Sequence, residues 1–392
     1  MTEPTEALGL TAAQLAARGA GATAREIAQQ PRVWAQIVRR IAADAALRAF
    51  LSPLLADAEL RLVLAGAGSS SFVGECLEPA LARSGRRQVA AVATTDIVAS
   101  PASALRAGGA TLMVHFARSG NSPESVGALE IAEQRLSRCA HLIVTCNRDG
   151  ALYQRARTLR HAHALLLPES CNDQGFAMTS SVTGMLLAAA LALGATPVSE
   201  ARVARLGRLA TQIMTSGVPL LSSLVREQFE RVVYLGSGEL EGLAREAALK
   251  MLELTDGRVV SIGDAPLGFR HGPKTILNGN ALVVVFLSND AYTRRYELDL
   301  LAELRRDGVA RRVTALTGTP GLAEGRDDVA LVDEPREPLT DLELCLPFAV
   351  FAQSLAVLRS LSLLLTPDSP NAAGTVNRVV QGVTLYPYGG PR

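Results

Sequence analysis

From about residue 60 the chain alternates short apolar runs with amphipathic stretches. Leu62–Ala65, Gln88–Ala93, Thr111–Phe116, His141–Cys146 and Ala164–Leu167 are the apolar runs, and each reads as a strand buried on both faces. Strands separated by helical segments predict a parallel sheet covered by helices. Residues 174–228 read as helical, and then the pattern restarts with Arg231–Leu235, Val259–Ile262, Ala281–Leu287, Val313–Leu316 and Val329–Val332. The Ala-rich residues 5–58 predict helices broken at Pro31 and Pro53, and 338–365 predicts another helix. The Pro-, Gly- and Asn-rich residues 366–392 predict an extended tail. The expected class is therefore α/β, with two doubly wound parallel-sheet units and flanking helices. The expected segments are a helical 1–58, a first unit at 59–215, a second at 216–365 and the tail.

Two strand ends carry candidate chemistry. Thr111–Phe116 empties into Ala117-Arg118-Ser119-Gly120-Asn121-Ser122, followed by Pro123-Glu124. Ser at an N-cap and Pro in the first turn mark a helix start. Hydroxyls and free N–H groups at such a start form an anion site, for which phosphate is the usual guest. Leu62–Ala65 runs in the same way into Gly66-Ala67-Gly68-Ser69-Ser70-Ser71. Two such turns point to a phosphorylated small molecule. The second unit opens at Gly236-Ser237-Gly238, 170 residues after Gly66-Ala67-Gly68, but continues as Glu239-Leu240-Glu241, with Leu287-Ser288-Asn289-Asp290 at its next strand end. The phosphate-type loops thus belong to the first unit. A dinucleotide fold is weakly supported: position 71 is Ser where the fingerprint needs Gly, and the nearest acid, Asp96, lies 28 residues past Gly68 against the usual ~20.

Composition narrows the partners. Lys plus Arg is 39 and Asp plus Glu is 38 in 392 residues, so no net field favours nucleic acid or an anionic membrane. Aromatics are 4%, which counts against stacking platforms for single strands. The five cysteines are scattered without a C-x-x-C. That argues against a disulfide framework or a zinc site, and no metal-ligand cluster is evident. The polar start Met1-Thr2-Glu3-Pro4 has no signal-peptide pattern, and Leu346–Leu365 carries Gln353 and Arg359. A soluble, cytoplasmic protein is expected.

Residues 239–256 form a strong helix sequence, in which Glu246, Lys250 and Glu253 share one face. Alone, that face reads as solvated, with a Glu–Lys pair contributing ~0.3–0.5 kcal/mol. The loop Asp264-Ala265-Pro266-Leu267-Gly268-Phe269-Arg270-His271-Gly272-Pro273-Lys274 changes the reading, because its Gly and Pro residues fix a turn around His271. His115 and His141 sit in apolar runs and read as structural, and His161 and His163 as surface residues. A carboxylate and a His near a sugar phosphate suit aldose–ketose isomerisation. One base moves a proton between C1 and C2 while a second group opens the ring, and neither metal nor cofactor is needed.

These residues resemble the SIS (sugar isomerase) superfamily. Gly66–Ser70 and Ala117–Ser122 resemble its phosphate signatures. Glu246-x-x-x-Lys250-x-x-Glu253, Arg270-His271-Gly272-Pro273 and Arg25-Glu26-Ile27-Ala28-Gln29-Gln30-Pro31 are similar to the isomerase half of glucosamine-6-phosphate synthase. Asn172–Ser181, Leu267–Lys274 and Val376–Gly382 resemble the AgaS-type branch, described as tagatose-6-phosphate ketose/aldose isomerase or galactosamine-6-phosphate deaminase. The resemblance runs from about Thr23 to Pro387 and implies two flavodoxin-like SIS units.

It further implies that Ser69, Ser70, Arg118, Ser119, Asn121 and Ser122 bind the sugar phosphate. Glu253 would be the shuttling base beside Lys250, and His271 the ring-opening group, reaching the site of a neighbouring subunit in a homodimer. Two departures stand out. Gln381 takes the place of the synthase's C-terminal Lys in the substrate site, and Ala117 that of one phosphate-binding Ser. No Cys follows Met1, so glutamine hydrolysis is not expected. The expected substrate is a hexose 6-phosphate, with no nucleic acid or membrane partner. Simple isomerisation and isomerisation with loss of a 2-amino group both need the same base, so both stay open. A non-catalytic sugar-phosphate sensor is the rival, disfavoured by the presence of Glu253 and His271 and by the absence of a basic helix-turn-helix segment.

Overall fold

The computed structural model describes residues 6–83, 87–196, 199–319, 321–322, 328–331, 337–380 and 382–389. A two-stranded antiparallel hairpin, β1 (Glu6–Ala7) and β2 (Leu10–Thr11), opens the chain where helix was expected. Helices Ala12–Ala17, Gly21–Ala28, Gln30–Ala43 and Ala45–Ala56 follow. Pro31 does mark a break, since it stands in the first turn of a new helix. Pro53 does not. It lies near the end of Ala45–Ala56, and the break falls instead at Asp44, whose carboxylate accepts from Leu47 N at 2.8 Å. A side-chain cap starts a helix more decisively than a late proline ends one.

The first sheet contains β3 (Arg61–Gly66), β4 (Val89–Ala93), β5 (Ala110–Ala117), β6 (Arg138–Thr145) and β7 (Ala162–Leu166), ordered β4-β3-β5-β6-β7 and parallel throughout. The second contains β8 (Arg231–Leu235), β9 (Val260–Asp264), β10 (Ala281–Leu287), β11 (Arg312–Thr317) and β12 (Val329–Ala330), ordered β12-β11-β10-β8-β9 and also parallel. Counted within each unit, both orders read 2-1-3-4-5. In such open sheets ligands bind beyond the carboxyl ends of strands 1 and 3, where the winding reverses. The expected α/β class and all ten strands are present, although Val332 lies outside the described residues. The segment 174–228 is helical only from Ser180, as Ser180–Ala192, Glu200–Met214 and Val218–Arg226.

One contiguous apolar core joins the sheets, running from Leu64 and Val114 through Leu77, Met185, Met251 and Phe351 to Tyr234 and Phe286. Asp341–Ser362 is the one helix among the described residues long and apolar enough to cross a membrane, and it is buried in this core. A single glycine sets the approach of the two units. A Cβ on Gly242 would lie 2.7 Å from the backbone N of Cys76, so helices Glu239–Leu254 and Ser69–Ala82 cross at backbone contact there. That crossing carries the acidic face of the second unit's helix towards the first unit's loops.

Candidate active site

The carboxyl ends of β3 and β5 frame a cavity of about 220 Å³, lined by Ser69, Ser70, Ser119, Ser122, Glu253 and Arg378, among others. Its loops are shaped by glycine. A Cβ on Gly66 would lie 2.3 Å from the Ser70 carbonyl carbon, and Gly68 and Gly120 have φ of 55° and 67°, a region costly for other residues. The Ser119–Gly120 peptides are held from behind: Asn147 Nδ2 donates to Ser119 O at 2.9 Å and Leu152 N to Gly120 O at 3.0 Å. Ser122 occupies the N-cap position of helix Pro123–Arg135, but its hydroxyl donates to Ser125 Oγ at 2.6 Å. Pro123 has no N–H, and Ser125 N and Val126 N donate to Ser122 O at 3.1 and 3.2 Å, so of this helix start the Glu124 N–H remains for a guest.

Glu246 and Lys250 are not on a solvated face. They are 3% and 1% exposed. Lys250 donates a hydrogen bond to the partly exposed Glu253 and lies 3.6 Å from Glu246 Oε1. Burial pushes the Glu246 carboxyl up to about 7 against the pull of Lys250 and Ser69. Burial alone would lower the Lys250 ammonium, but the two carboxylates hold it above the ordinary lysine value. A buried cation thus holds Glu253, the only member of the face lining the cavity.

The remaining expected site residues differ in where they stand. Arg118 is 6% exposed and donates to two backbone carbonyls, Phe176 O at 3.3 Å and Arg378 O at 2.8 Å. Burial and the neighbouring Arg378 lower its pKa. It lines the cavity, yet these two contacts tie the 117–122 loop to the 172–181 segment and the tail. Asn121 is exposed and off the cavity, and its Oδ1 accepts from Ala151 N at 2.9 Å, at the start of helix Ala151–Ala156. His271 is exposed at the end of helix Pro266–Arg270 and does not line this cavity. Gln381 lies outside the described residues. His161 is exposed as expected, but His163 is partly buried, stacked 5.6 Å from Phe50.

Two contributors were not read from the sequence. Residues 376–380 of the tail line the cavity, where Arg378 donates to Asp173 O. The Asp173 carboxylate accepts from Thr179 N (2.8 Å), Ser180 N (3.1 Å), Ser181 N (2.9 Å) and both hydroxyls of Thr179 and Ser181. It serves as the anion at the N-terminus of helix Ser180–Ala192 and so places Phe176 and Met178 at the cavity wall. The N-terminal Glu26 accepts from Gln174 N at 2.6 Å, and burial, then Asp173, pushes it up to about 7. An acid seven residues before the helix it caps has no local sequence signal.

The second unit's equivalent loop is filled by the chain itself. Beyond β10, Asp341 accepts from the Ser288 hydroxyl and from Asn289 N at 2.6 Å, and Glu297 accepts from Ser288 N at 2.7 Å. Burial, chiefly, pushes Glu297 from 4.5 to about 7. The folded chain thus binds a proton that the unfolded chain releases, so this group's contribution is complete below about pH 4.5 and lost as pH rises through about 7. Glu297→Gln keeps an oxygen for Ser288 N–H. Its stability relative to the parent is expected to rise by up to about 3 kcal/mol between pH 4.5 and 8. Urea unfolding across that range checks this, and a pH-independent difference contradicts it.

Comparison with known proteins agrees with this geometry. The SIS domain family matches residues 54–195. D-galactosamine-6-phosphate deaminase AgaS of Escherichia coli is 45% identical over 373 residues, covering 93% of this chain and 96% of the relative. A crystal structure from Clostridium novyi superposes with a TM-score of 0.93 at 38% identity, covering 98% of this chain and 99% of that one. The structure of tagatose-6-phosphate ketose/aldose isomerase from Escherichia coli gives 0.84 at 41% identity, covering 93% and 97%. The chain belongs to the AgaS family of SIS-domain proteins.

Proposed function

We propose that the chain is an isomerising deaminase of an amino-hexose 6-phosphate, galactosamine 6-phosphate first, giving ketohexose 6-phosphate and ammonia. The observation that carries this is one cavity holding two Ser-lined anion loops and the Lys250-held carboxylate of Glu253. The phosphate sits on Ser70, Ser119, Ser122 and the Glu124 N–H. Glu253 takes the C2 proton of the open-chain aldehyde and returns it to C1 while a proton passes from the amine to O1, leaving an imine at C2 and a hydroxyl at C1. Water adds to C2 and ammonia leaves, so atoms balance. The name of the E. coli deaminase relative supports loss of the amine. Simple ketose/aldose isomerisation, the activity for which the E. coli structural relative is named, uses the same base. Assay of ammonia and ketose on galactosamine 6-phosphate, glucosamine 6-phosphate and tagatose 6-phosphate separates the readings: ketose–aldose exchange without ammonia release overturns the deaminase.

Ser119→Ala is expected to raise KM with little change in kcat. A lost hydrogen bond to a charged group costs ~1.5–3 kcal/mol, tenfold or more in affinity. An unchanged KM removes Ser119 from the phosphate site.

The reading also makes the enzyme a cytoplasmic homodimer in which His271 opens the sugar ring in the partner's cavity. Its support is the exposure of His271 outside its own cavity, next to exposed Leu267 on the same short helix, which packs on the helix bearing exposed Tyr292 and Tyr296. Free thiols at all five cysteines fit a reducing compartment. Mixing inactive Glu253→Gln and His271→Ala subunits is then expected to restore part of the activity. No recovery after verified subunit exchange places both residues in one chain's site.

A further inference from the structure

Behind the phosphate loop, on the sheet face covered by helix Pro123–Arg135, lies a polar cluster that the proposed reaction does not use. Cys139 and His141 are two apart on β6, so their side chains leave the same face. Glu133 comes from the last turns of the covering helix. One ligand atom from each, a carboxylate oxygen, a thiol sulfur and an imidazole nitrogen, lie within 4.8 Å of one another. His141 is 1% exposed, and its Nε2 is 2.7 Å from Glu133 Oε1. Its other nitrogen, Nδ1, lies 2.9 Å from Nε2 of the equally buried His115, whose own Nδ1 has no partner.

We propose that Glu133, Cys139 and His141 bind one divalent cation of the zinc type. The donor set is mixed O, S and N. Three protein ligands with a fourth, solvent-filled position suit a four-coordinate zinc ion, and a thiolate ligand selects against magnesium and calcium. Glu133 is exposed and Cys139 only partly buried, which leaves a path for the ion and its water. His115 acts behind the ligand. A metal-bound imidazole ordinarily donates its second N–H to a fixed partner, which sets its tautomer and ring orientation, and His115 Nε2 stands at that place. Without metal, His141 Nε2–H donates to Glu133 and Nδ1 accepts from His115. Binding the metal at Nε2 reverses the inner bond and moves the His115 proton to Nδ1. Since His115 Nδ1 has no partner in either arrangement, the switch leaves the number of unpaired buried atoms unchanged. A thiol binds the ion as thiolate, so the ion displaces the Cys139 proton.

The site pins the far end of the helix whose first turn lines the cavity, about 15 Å away at 1.5 Å per residue. Its role is therefore to fix that helix on the sheet. The full-length protein, stripped with a chelator and titrated with cobalt(II) and then zinc, tests this. One cobalt per chain with a thiolate-to-metal charge-transfer band is expected, the band vanishing in Cys139→Ser. Zinc affinity is expected to fall at least tenfold in Glu133→Gln, and zinc to raise the Tm of the parent but not of Cys139→Ser. Glu133 is exposed and Cys139 partly exposed, so the variants are expected to fold, which their melting curves verify. A substoichiometric signal, a band that survives Cys139→Ser, or an unchanged zinc affinity in Glu133→Gln overturns the proposal.

Discussion

Glu253→Gln is expected to abolish turnover while leaving substrate binding largely intact. Gln fills nearly the same volume beside Lys250 but cannot take the C2 proton. Loss of a general base costs ~10²–10⁴-fold in rate, and the upper end applies because Glu246, the other carboxyl of this face, is buried and does not line the cavity. Deuterium exchange at C2 should disappear with kcat. Exchange at the parental rate in Glu253→Gln would remove the residue from the proton path. If the helix face were only a surface ion pair, the same substitution would change stability by a few tenths of a kcal/mol and leave the rate alone.

The largest expected effect on stability comes from Asp173→Ala. The carboxylate is fully buried and takes five hydrogen bonds, three of them from backbone N–H groups at one helix start. Removing it strands those donors out of reach of water, at ~1–3 kcal/mol each. A loss of about 4 kcal/mol or more follows, which few single substitutions reach. Substrate affinity should fall as well, because Phe176, Met178 and the carbonyl that receives Arg378 all depend on this segment. Urea unfolding and KM measured on the folded fraction check both parts. A loss under 1 kcal/mol would mean that water or neighbouring groups replace the carboxylate.

The strands were legible because a parallel strand covered on both faces must be apolar throughout, and Ala281–Leu287 is an uninterrupted example. The two Ser-bearing loops were legible because strand, Gly turn and helix start follow one another directly in the chain. The face holding Glu246, Lys250 and Glu253 was only half legible. Helical spacing shows which residues share a face but not what covers it, and the cover comes from the Gly242 crossing, whose partner Cys76 is far away in sequence. Asn121 shows the opposite failure: a polar residue in a phosphate-type turn is drawn to an uncapped helix next to it. Arg378, Asp173 and the Glu133–Cys139–His141 cluster gain their roles from contacts between elements, which no local pattern encodes.

The Asp341 carboxylate on the second unit's loop is an anion tethered to its own receptor. A tethered group acts at an effective concentration in the millimolar range or above, and unlike a metabolite it is never diluted or consumed. That loop therefore cannot report the level of any sugar phosphate. A free anion would have to displace a competitor that is always present, while the first loop, on the proposed function, fills and empties with supply. Of two loops with the same topology, one is proposed as a receptor and the other is an internal strut. Saturation with substrate should follow a single hyperbola with one equivalent bound per chain.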